Sequence, residues 1–492
     1  MQAGPALSSA RGMHIHLVGA KGTGMTALAE ILSADGAILS GSDVADVFYT
    51  DAILKGIGVQ VASPFSEANL GPELDLVVHS AAYRRDLNPE LLEAARRGIP
   101  VLSYPEALGE LSLTRDSSAI AGVHGKTTTT ALAGTIAASL AIPATILAGS
   151  AVSTFGGRST MIRGSRYFIA ETCEYRRHFL SFHPRRIVLT SVEHDHQDYF
   201  PSYADILSAF VEFAQTLPAG GLLIYCADDR GACEAVAKVA AGRPDIVLLP
   251  YGKTATGDYR ISDYRVGQGL AHFRLAGFHR EFELRIPGEH IALDATAALA
   301  LAFSVHRDAK AGAGLEEADV EAARRALASF SGSKRRSEIL GSAGDVLFMD
   351  DYAHHPTAIR EGIRGLKAFW PGRRLVVDFM SHTYSRTKAL FGDFAASLDG
   401  ADAVVLHRIY ASARELPEEG VSGRLLFEAV RDRRSRLGIE GEVMYWEDPL
   451  DAKSSLHGFL RPGDLFITMG AGDNWRLGAE LFDARRNGGK AE

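Results

Sequence analysis

Between Met13 and about Pro105, short apolar runs alternate with amphipathic stretches, which predicts a parallel β-sheet with crossover helices. His14–Val18 reads as a strand, Thr23–Ala34 as a helix, residues 36–40 as the next strand and 74–79 as a later one. Each ends in a polar or glycine-rich loop, and in such sheets ligands bind where strands meet those loops. A polar, charged segment at 111–118 precedes a fresh strand at 119–123 and marks a boundary. A helix at 315–330, followed by a basic Gly/Ser linker at 331–336, marks another. Beyond it, strands at 346–349, Arg374–Phe379, Ala403–Leu406 and 464–468 alternate with helices. The pattern predicts an α/β protein of three regions, 13–114, 115–330 and 331–484, with polar tails at 1–12 and 485–492. No repeat of solenoid period and no low-complexity tract interrupts it.

The length agrees: 492 residues, at roughly 150 per domain, make about three domains. Hydrophobic residues at 46% supply several cores and exclude global disorder. Lys plus Arg number 52 against 60 Asp plus Glu, a net charge of −8 that argues against a nucleic-acid partner. Any bound phosphate must therefore be met locally, by glycine loops, a helix start or a few basic side chains. Three cysteines, Cys173, Cys226 and Cys233, at no metal-ligand spacing fit a reducing cytoplasm. The first twelve residues lack the pattern of a signal peptide. The uncharged stretch 131–152 is rich in Ala, Gly, Ser and Thr and contains Pro143, so it reads as a buried helix and a strand rather than a membrane span.

Candidate chemistry concentrates at strand ends. Gly122-Val123-His124-Gly125-Lys126-Thr127, with Thr128 behind it, lies between an apolar strand and an Ala-rich helix. Glycines let backbone N–H groups approach an anion and the helix start adds its dipole, while Lys126 suits terminal phosphates and Thr127 or Thr128 a Mg²⁺ ion. A second loop, Gly19-Ala20-Lys21-Gly22-Thr23-Gly24, is followed by Asp43 about twenty residues on; an acidic residue at that distance grips a ribose in dinucleotide folds, but the glycines run G-x-x-G-x-G and not G-x-G-x-x-G, so a pyrophosphate-bearing ligand and a bare turn both fit. Glu171 closes a strand at 166–170, and Glu193-His194-Asp195-His196 follows one at 186–192. Two adjacent parallel strands would bring these groups to the edge that carries the phosphate loop. Oxygen ligands there suit Mg²⁺; the His-x-His pair alone is short of a zinc set. In the third region, Asp350-Asp351-Tyr352-Ala353-His354-His355-Pro356 and Ser381-His382-Thr383-Tyr384-Ser385-Arg386-Thr387 follow strands. Paired histidines can relay protons, and Arg386 can hold a carboxylate through paired hydrogen bonds. Helix-capping Asp and packed His are the plainer alternative for each loop.

Taken together, these residues resemble the Mur ligase family, the ATP-dependent enzymes that build the peptide of peptidoglycan. The landmarks occur in family order: Gly22-Thr23-Gly24-Met25, residues 122–130, residues 193–196, Arg335-Arg336 and residues 350–357. Ile409-Tyr410, Arg414-Glu415 and Gly470-Ala471-Gly472-Asp473 extend the likeness, which is strongest for the branch that adds L-alanine to UDP-N-acetylmuramate. It implies a Rossmann-like UDP-sugar domain, a central P-loop ATPase-like domain and a C-terminal Rossmann-like domain that receives the amino acid.

By the same resemblance, Gly19, Gly22, Thr23, Gly24, Met25, Ser42, Asp43 and Ser80 would line the UDP-sugar. Gly122, His124, Gly125, Lys126, Thr127, Thr128, His290, Asp294, Arg336 and Asp351 would meet ATP, with Arg336 at the γ-phosphate and Asp351 at the ribose. Thr127, Glu171 and His196 would hold Mg²⁺. Lys126, His355, His382 and Arg386 would serve catalysis. The lactyl carboxylate would attack the γ-phosphate of ATP, and an amine would attack the resulting acyl phosphate, with His355 as a candidate base.

Departures from the family pattern are specific. After Pro287-Gly288-Glu289-His290, Ile291 replaces an asparagine and Asp294 stands where a second is usual. Thr383 replaces an arginine, and Cys173-Glu174-Tyr175-Arg176 replaces a D-E-S-D segment. Ala209-Phe210-Val211 occupies the neighbourhood of a carbamylated lysine found in sister ligases, in keeping with the alanine-adding branch. A recycling ligase that accepts a ready-made tripeptide is the near alternative. A nicotinamide-dependent dehydrogenase and a non-catalytic nucleotide switch are the distant ones. A monomer or homodimer without membrane or nucleic-acid partners is expected.

Overall fold

The computed structural model describes Leu7, residues 10–411 and residues 415–488. Its contacts divide the chain into two compact units: Met1–Val192, Leu207–Thr256 and Thr296–Ala323 form one, and Glu193–Ile206, Gly257–Ala295 and Arg324–Glu492 the other.

The first unit contains two sheets. A five-stranded parallel sheet runs in the order Gln60–Ala62, Ile38–Ser42, His14–Val18, Leu76–His79, Val101–Ser103. The chain leaves His14–Val18 toward one side and later returns on the other, so the glycine loop after Val18 sits at a topological switch point. A seven-stranded sheet places Asp116–Ala121 between Arg186–Leu189 and Tyr167–Glu171, all parallel, which puts the 122–127 loop at a second switch point. Its edge strand Arg158–Ile162 is antiparallel to Ala144–Val152. Helix Thr23–Ala34 is tied to that edge by Glu30, which accepts from Arg158 and Thr160 while almost fully buried.

The second unit has a three-stranded antiparallel sheet, Ile261–Gly267, Leu270–Leu275 and Glu281–Leu284. Its six-stranded sheet runs Glu338–Ala343, Val346–Asp351, Asp464–Met469, Arg374–Phe379, Ala403–Leu406, Val443–Tyr445, with only the first strand antiparallel. Two apolar layers cover its faces, one around Phe379, Ile363 and Leu406, the other around Phe348, Phe466 and Leu481.

Several boundaries move. The second strand is Ile38–Ser42, because Gly36 adopts φ +92° in the turn before it. The strand expected at 119–123 is Asp116–Ala121, which takes in the last three residues of the polar 111–118 segment, while the first three end helix Tyr104–Leu113; Gly122 at φ +138° ends the strand. Arg186–Leu189 stops before the polar Thr190-Ser191 pair. Tyr167–Glu171 and Arg186–Leu189 flank Asp116–Ala121 instead of neighbouring one another. The supposed tail at 485–492 begins inside helix Trp475–Gly488, whose Leu477 and Leu481 are buried and whose Arg485 donates to the carbonyls of His457 and Leu460. Residues 489–492 lie outside the described residues. Before Met13, Leu7 and Ala10 are buried and Gly12 donates to the Gly36 carbonyl, so the stretch is packed where it is described. The 131–152 stretch is a buried helix, Lys126–Ser139, and a strand, as expected.

Candidate active site

In the first unit the phosphate-type loop is built by close approach. A Cβ on Gly122 would lie 2.0 Å from Thr190 Oγ1, so the backbone there requires glycine. His124 donates its N–H to Ser191 Oγ at 2.9 Å, and Val123 donates to the Ser191 carbonyl, which laces the loop to the neighbouring strand end. Gly125, left-handed at φ +81°, precedes helix Lys126–Ser139, whose start carries no side-chain cap. Such a start is an anion site by geometry and dipole.

Lys126 Nζ lies 3.0 Å from one carboxylate oxygen of Glu174 and 3.2 Å from the other, and it also donates to the Gly122 carbonyl. Burial alone would lower its pKa; the Glu174 charge overcomes this and raises it, so the ammonium form persists. Thr127 is buried beside it.

Glu171 ends its strand as expected, and the Gly149 N–H donates to its Oε2 at 2.7 Å. A Cβ on Gly149 would come within 2.5 Å of that oxygen, so the carboxylate occupies space that only a glycine leaves. The Thr127 hydroxyl and the Glu171 carboxylate are oxygen donors of the kind Mg²⁺ prefers. A cavity of about 180 Å³ joins Glu171 and Gly149 to Gly24, beneath Tyr104, Leu108 and Phe179. Tyr104 covers Gly24 so closely that a Cβ there would lie 2.9 Å from its Cζ.

The glycine loop is braced from within. Asp43 is buried and accepts from the N–H groups of Lys21 and Val44 at 2.7 and 2.8 Å and from the Tyr83 hydroxyl at 3.2 Å. Tyr83 lies against Gly19, which takes φ +80°. Thr23 Oγ1 meets the Tyr49 hydroxyl at 2.9 Å, and Gly22 precedes the helix. The Ser42 hydroxyl is buried and donates to Glu90, and the Met25 side chain is in the core. Ser80 remains half-buried at the end of Leu76–His79.

In the second unit, Asp350 and Asp351 finish strand Val346–Asp351 instead of following it. Asp351 accepts from Ser337 N and Ala353 N, both at 2.8 Å, so its carboxylate braces the 335–337 turn, where Arg335 and Ser337 have positive φ. Arg335 and Arg336 stack on Tyr352, 5.2 and 5.1 Å from the ring centre. Burial pushes the Asp350 pKa up to about 6 against the pull of Arg335.

His355 precedes helix Pro356–Phe369, where its Nδ1 accepts the Thr357 N–H at 3.4 Å, and the Thr357 hydroxyl donates to Glu193 at 2.8 Å. His354 Nδ1 faces the Tyr352 carbonyl at 2.9 Å; a carbonyl only accepts, so the proton is on Nδ1 and Nε2 carries the lone pair. Burial, with the Arg386 charge, holds its pKa well below the ordinary value, so the ring is neutral. Arg386 donates to Asp195 and, through Nη1, to His382 Nδ1 at 3.1 Å. His382 also stacks on Tyr410, and their backbones form a parallel bridge. Glu415 accepts from Tyr384 N at 2.6 Å; Arg414 lies outside the described residues.

His196 lies in the second unit at φ +54°, its N–H donating to Asp195 at 2.7 Å, while Thr127 and Glu171 are in the first unit. His290 folds against Gly288, and Asp294 is buried on helix Glu289–Ala309. A Cβ on Gly365 would lie 2.7 Å from Gly288 Cα, so the helix that His355 caps packs against the Pro287-Gly288 turn. Sequence reasoning passed over Glu174, Asp195 and Glu415 as partners, and favoured His355 over His354. Their adjacency to chosen motifs was visible, but their pairings were not.

Three family models match the chain: the Mur ligase family catalytic domain over residues 14–115, the Mur ligase middle domain over 120–302, and the Mur ligase glutamate ligase domain over 335–472. A UDP-N-acetylmuramate–L-alanine ligase of Treponema pallidum is 53% identical over 483 residues, covering 98% of this chain and 99% of the relative. Among solved structures, a UDP-N-acetylmuramate–alanine ligase of Thermotoga maritima has a TM-score of 0.75 at 23% identity, covering 97% of this chain and all of that one. A murein peptide ligase of Psychrobacter arcticus has a TM-score of 0.64 at 24% identity, covering 97% and 99%. The two structures share the fold.

Proposed function

The chain belongs to the Mur ligase family, and on that premise we propose that it joins L-alanine to the lactyl carboxylate of UDP-N-acetylmuramate, cleaving ATP to ADP and phosphate, in peptidoglycan synthesis. The observation that carries this reading is the end-to-end likeness to a ligase named for that reaction. The working division is a UDP-sugar domain at 13–114, an ATP domain at 115–330 and an amino-acid domain at 331–484.

Catalysis of this kind rests on positioning and charge neutralisation, with no side-chain nucleophile. In the first unit, Gly122, His124, Gly125 and Thr128 shape the phosphate cradle and Lys126 supplies its cation. Thr127 and Glu171 would hold Mg²⁺, which when bound neutralises phosphate charge. In the second unit, Arg336 and Asp351, with His290 and Asp294, are assigned to ATP, and His382 and Arg386 to the substrate carboxylate and the incoming amine. The lactyl carboxylate displaces ADP from the γ-phosphorus. The uncharged amine then displaces phosphate from the acyl carbon, and its excess proton passes to a base. On the same family premise we place the enzyme in the cytoplasm as a monomer or homodimer. Among the described residues no helix is long and apolar enough to cross a membrane.

ADP release with Mg²⁺, ATP and UDP-N-acetylmuramate tests the reading, comparing no amine, L-alanine and the L-alanyl-γ-D-glutamyl-diaminopimelate tripeptide. Turnover with L-alanine alone is expected. Turnover with the tripeptide alone would make the chain a recycling ligase.

A further inference from the structure

The six-stranded sheet carries a buried polar network to which the reaction above gives no task. Asp378, on strand Arg374–Phe379, and His407, directly after Ala403–Leu406, are both buried, with His407 Nε2 2.7 Å from Asp378 Oδ2. Asn474, fully buried, donates to Asp378 Oδ1 at 2.7 Å and to the Met469 carbonyl at 3.1 Å. The other ring nitrogen, His407 Nδ1, stands 3.1 Å from the Trp446 carbonyl. Both ring nitrogens thus face acceptors, and only the imidazolium can donate to both. Burial by itself lowers the pKa of His407; the Asp378 charge more than offsets this and raises it.

Each member stands at the root of a different loop. Asp378 precedes the 380–383 loop, which leads into the helix Tyr384–Ala389 that carries Arg386, His407 begins the 407–411 segment, and Asn474 closes the 470–474 loop. Above them the loops are laced together: Met380 N donates to the Met469 carbonyl at 3.1 Å, Tyr410 N to Ser381 at 2.9 Å, and Thr383 N to Tyr410 at 2.9 Å. The fit is close, since a Cβ on Gly470 would lie 2.2 Å from the Met380 carbonyl oxygen and one on Gly472 2.5 Å from Met380 Sδ. A buried ion pair is seldom more stabilising than well-packed apolar residues of similar volume, so its presence here is better explained by the arrangement it specifies.

We infer that Asp378, His407 and Asn474 are positioning residues that set the mutual register of the three loops receiving the acceptor amino acid. This rests on the reading that those loops, through His382 and Arg386, take up L-alanine.

The test is steady-state kinetics of the full chain with each substrate varied in turn. His407→Leu is expected to raise the KM for L-alanine about tenfold while the KM for ATP stays within about twofold. His407→Gln, which keeps a donor, is expected to recover most of that loss. The double variant Asp378→Leu/His407→Leu removes both charges together, so it is expected to fold with a Tm near that of the wild type and still show the raised L-alanine KM. Folded variants with unchanged KM values, or with all three raised equally, would overturn the assignment and leave the network a purely structural role. A wild-type chain that releases no ADP with L-alanine would overturn the parent reading, and this one with it. Turnover by wild type with no selective change in the variants overturns this one alone.

Discussion

Arg386 grips a single carboxylate oxygen of Asp195 with two nitrogens, Nε at 3.0 Å and Nη2 at 2.7 Å, and both side chains are buried. The arginine expected to hold a substrate carboxylate is therefore already oriented by an internal one, leaving Nη1 directed at His382. Removing one partner of a buried pair strands the other charge, a cost of about 3–5 kcal/mol. Asp195→Ala is expected to lower stability by that order, measured by denaturant unfolding. Burial by itself would raise the Asp195 pKa, but the Arg386 charge and its hydrogen bonds hold it well below the ordinary carboxylate range. For an acid depressed in the folded state, the contribution is fully present above the unfolded pKa of about 3.9 and is lost as pH falls through the folded value. Wild type and Asp195→Ala should thus differ by a constant amount from pH 5 to 8 and converge only in strong acid. A gap that closes at pH 6 would contradict the pairing.

Lys126 and Glu174 set up a competition. The lysine that would meet ATP phosphates is held by a carboxylate, so phosphate binding has to draw it from Glu174. Glu174→Gln removes the competing charge and is expected to lower the KM for ATP several-fold. Lys126→Met is expected to cut kcat by about 10²–10³, the scale of losing one preorganised charge contact. Because the Lys126 pKa is raised, its share of stability is complete below the unfolded value of about 10.4 and is lost only as pH rises through the still higher folded one. The Glu174→Gln effect on KM should therefore be flat from pH 6.5 to 9, measured by ADP release. A higher KM in Glu174→Gln would show that the carboxylate positions the lysine instead of competing for it.

His354 meets the requirements of a base better than its neighbour. Its Nδ1 proton is committed to the Tyr352 carbonyl and its ring stays neutral, whereas His355 Nδ1 caps a helix. General-base assistance is typically worth 10²–10⁴-fold. His354→Gln is expected to lose about 10² in kcat, while His355→Asn, which keeps a helix-capping side chain, stays within about tenfold of wild type. Stability supplies a second readout. A histidine whose folded pKa is depressed leaves the unfolded chain binding the extra proton, so wild-type stability should fall as pH drops below about 6.5, and His354→Gln should lack that component. Equal kcat for His354→Gln and wild type would remove it as the base.

How much of this was legible depended on whether a residue's partner lay nearby in sequence. His14–Val18 and Thr23–Ala34 match the sequence reading to the residue because an apolar run closes on Gly19 and the helix between Thr23 and Ala34 is largely apolar, with Met25 to Leu32 all buried. Helix Trp475–Gly488 was lost among its charges, although Leu477 and Leu481, one turn apart, carry its buried face. Loops bearing chemistry were found because glycine, lysine and acidic residues cluster there. How those acids are held was not legible: Asp43 accepts from the N–H groups of Lys21 and Val44, and Asp351 from those of Ser337 and Ala353, contacts that reach across to other segments. Asp195 with Arg386, and Asp378 with His407 and Asn474, are partnerships across long sequence separations that only the folded chain brings together.

Asp294 offers the sharpest test of the nucleotide assignment. It is buried on helix Glu289–Ala309, one turn beyond His290, where the family usually places an asparagine. An asparagine can accept from the adenine amino group and donate to a ring nitrogen. A carboxylate can only accept, and the N–H and amino groups of guanine offer it two donors. The present residue therefore discriminates less between adenine and guanine than an amide does. One hydrogen bond is worth about 0.5–1.5 kcal/mol net, so Asp294→Asn is expected to raise the ratio of kcat/KM for ATP over GTP by roughly three- to tenfold. The measurement is ADP and GDP release under identical conditions with L-alanine saturating. An unchanged ratio would place the base elsewhere and withdraw both His290 and Asp294 from the nucleotide site.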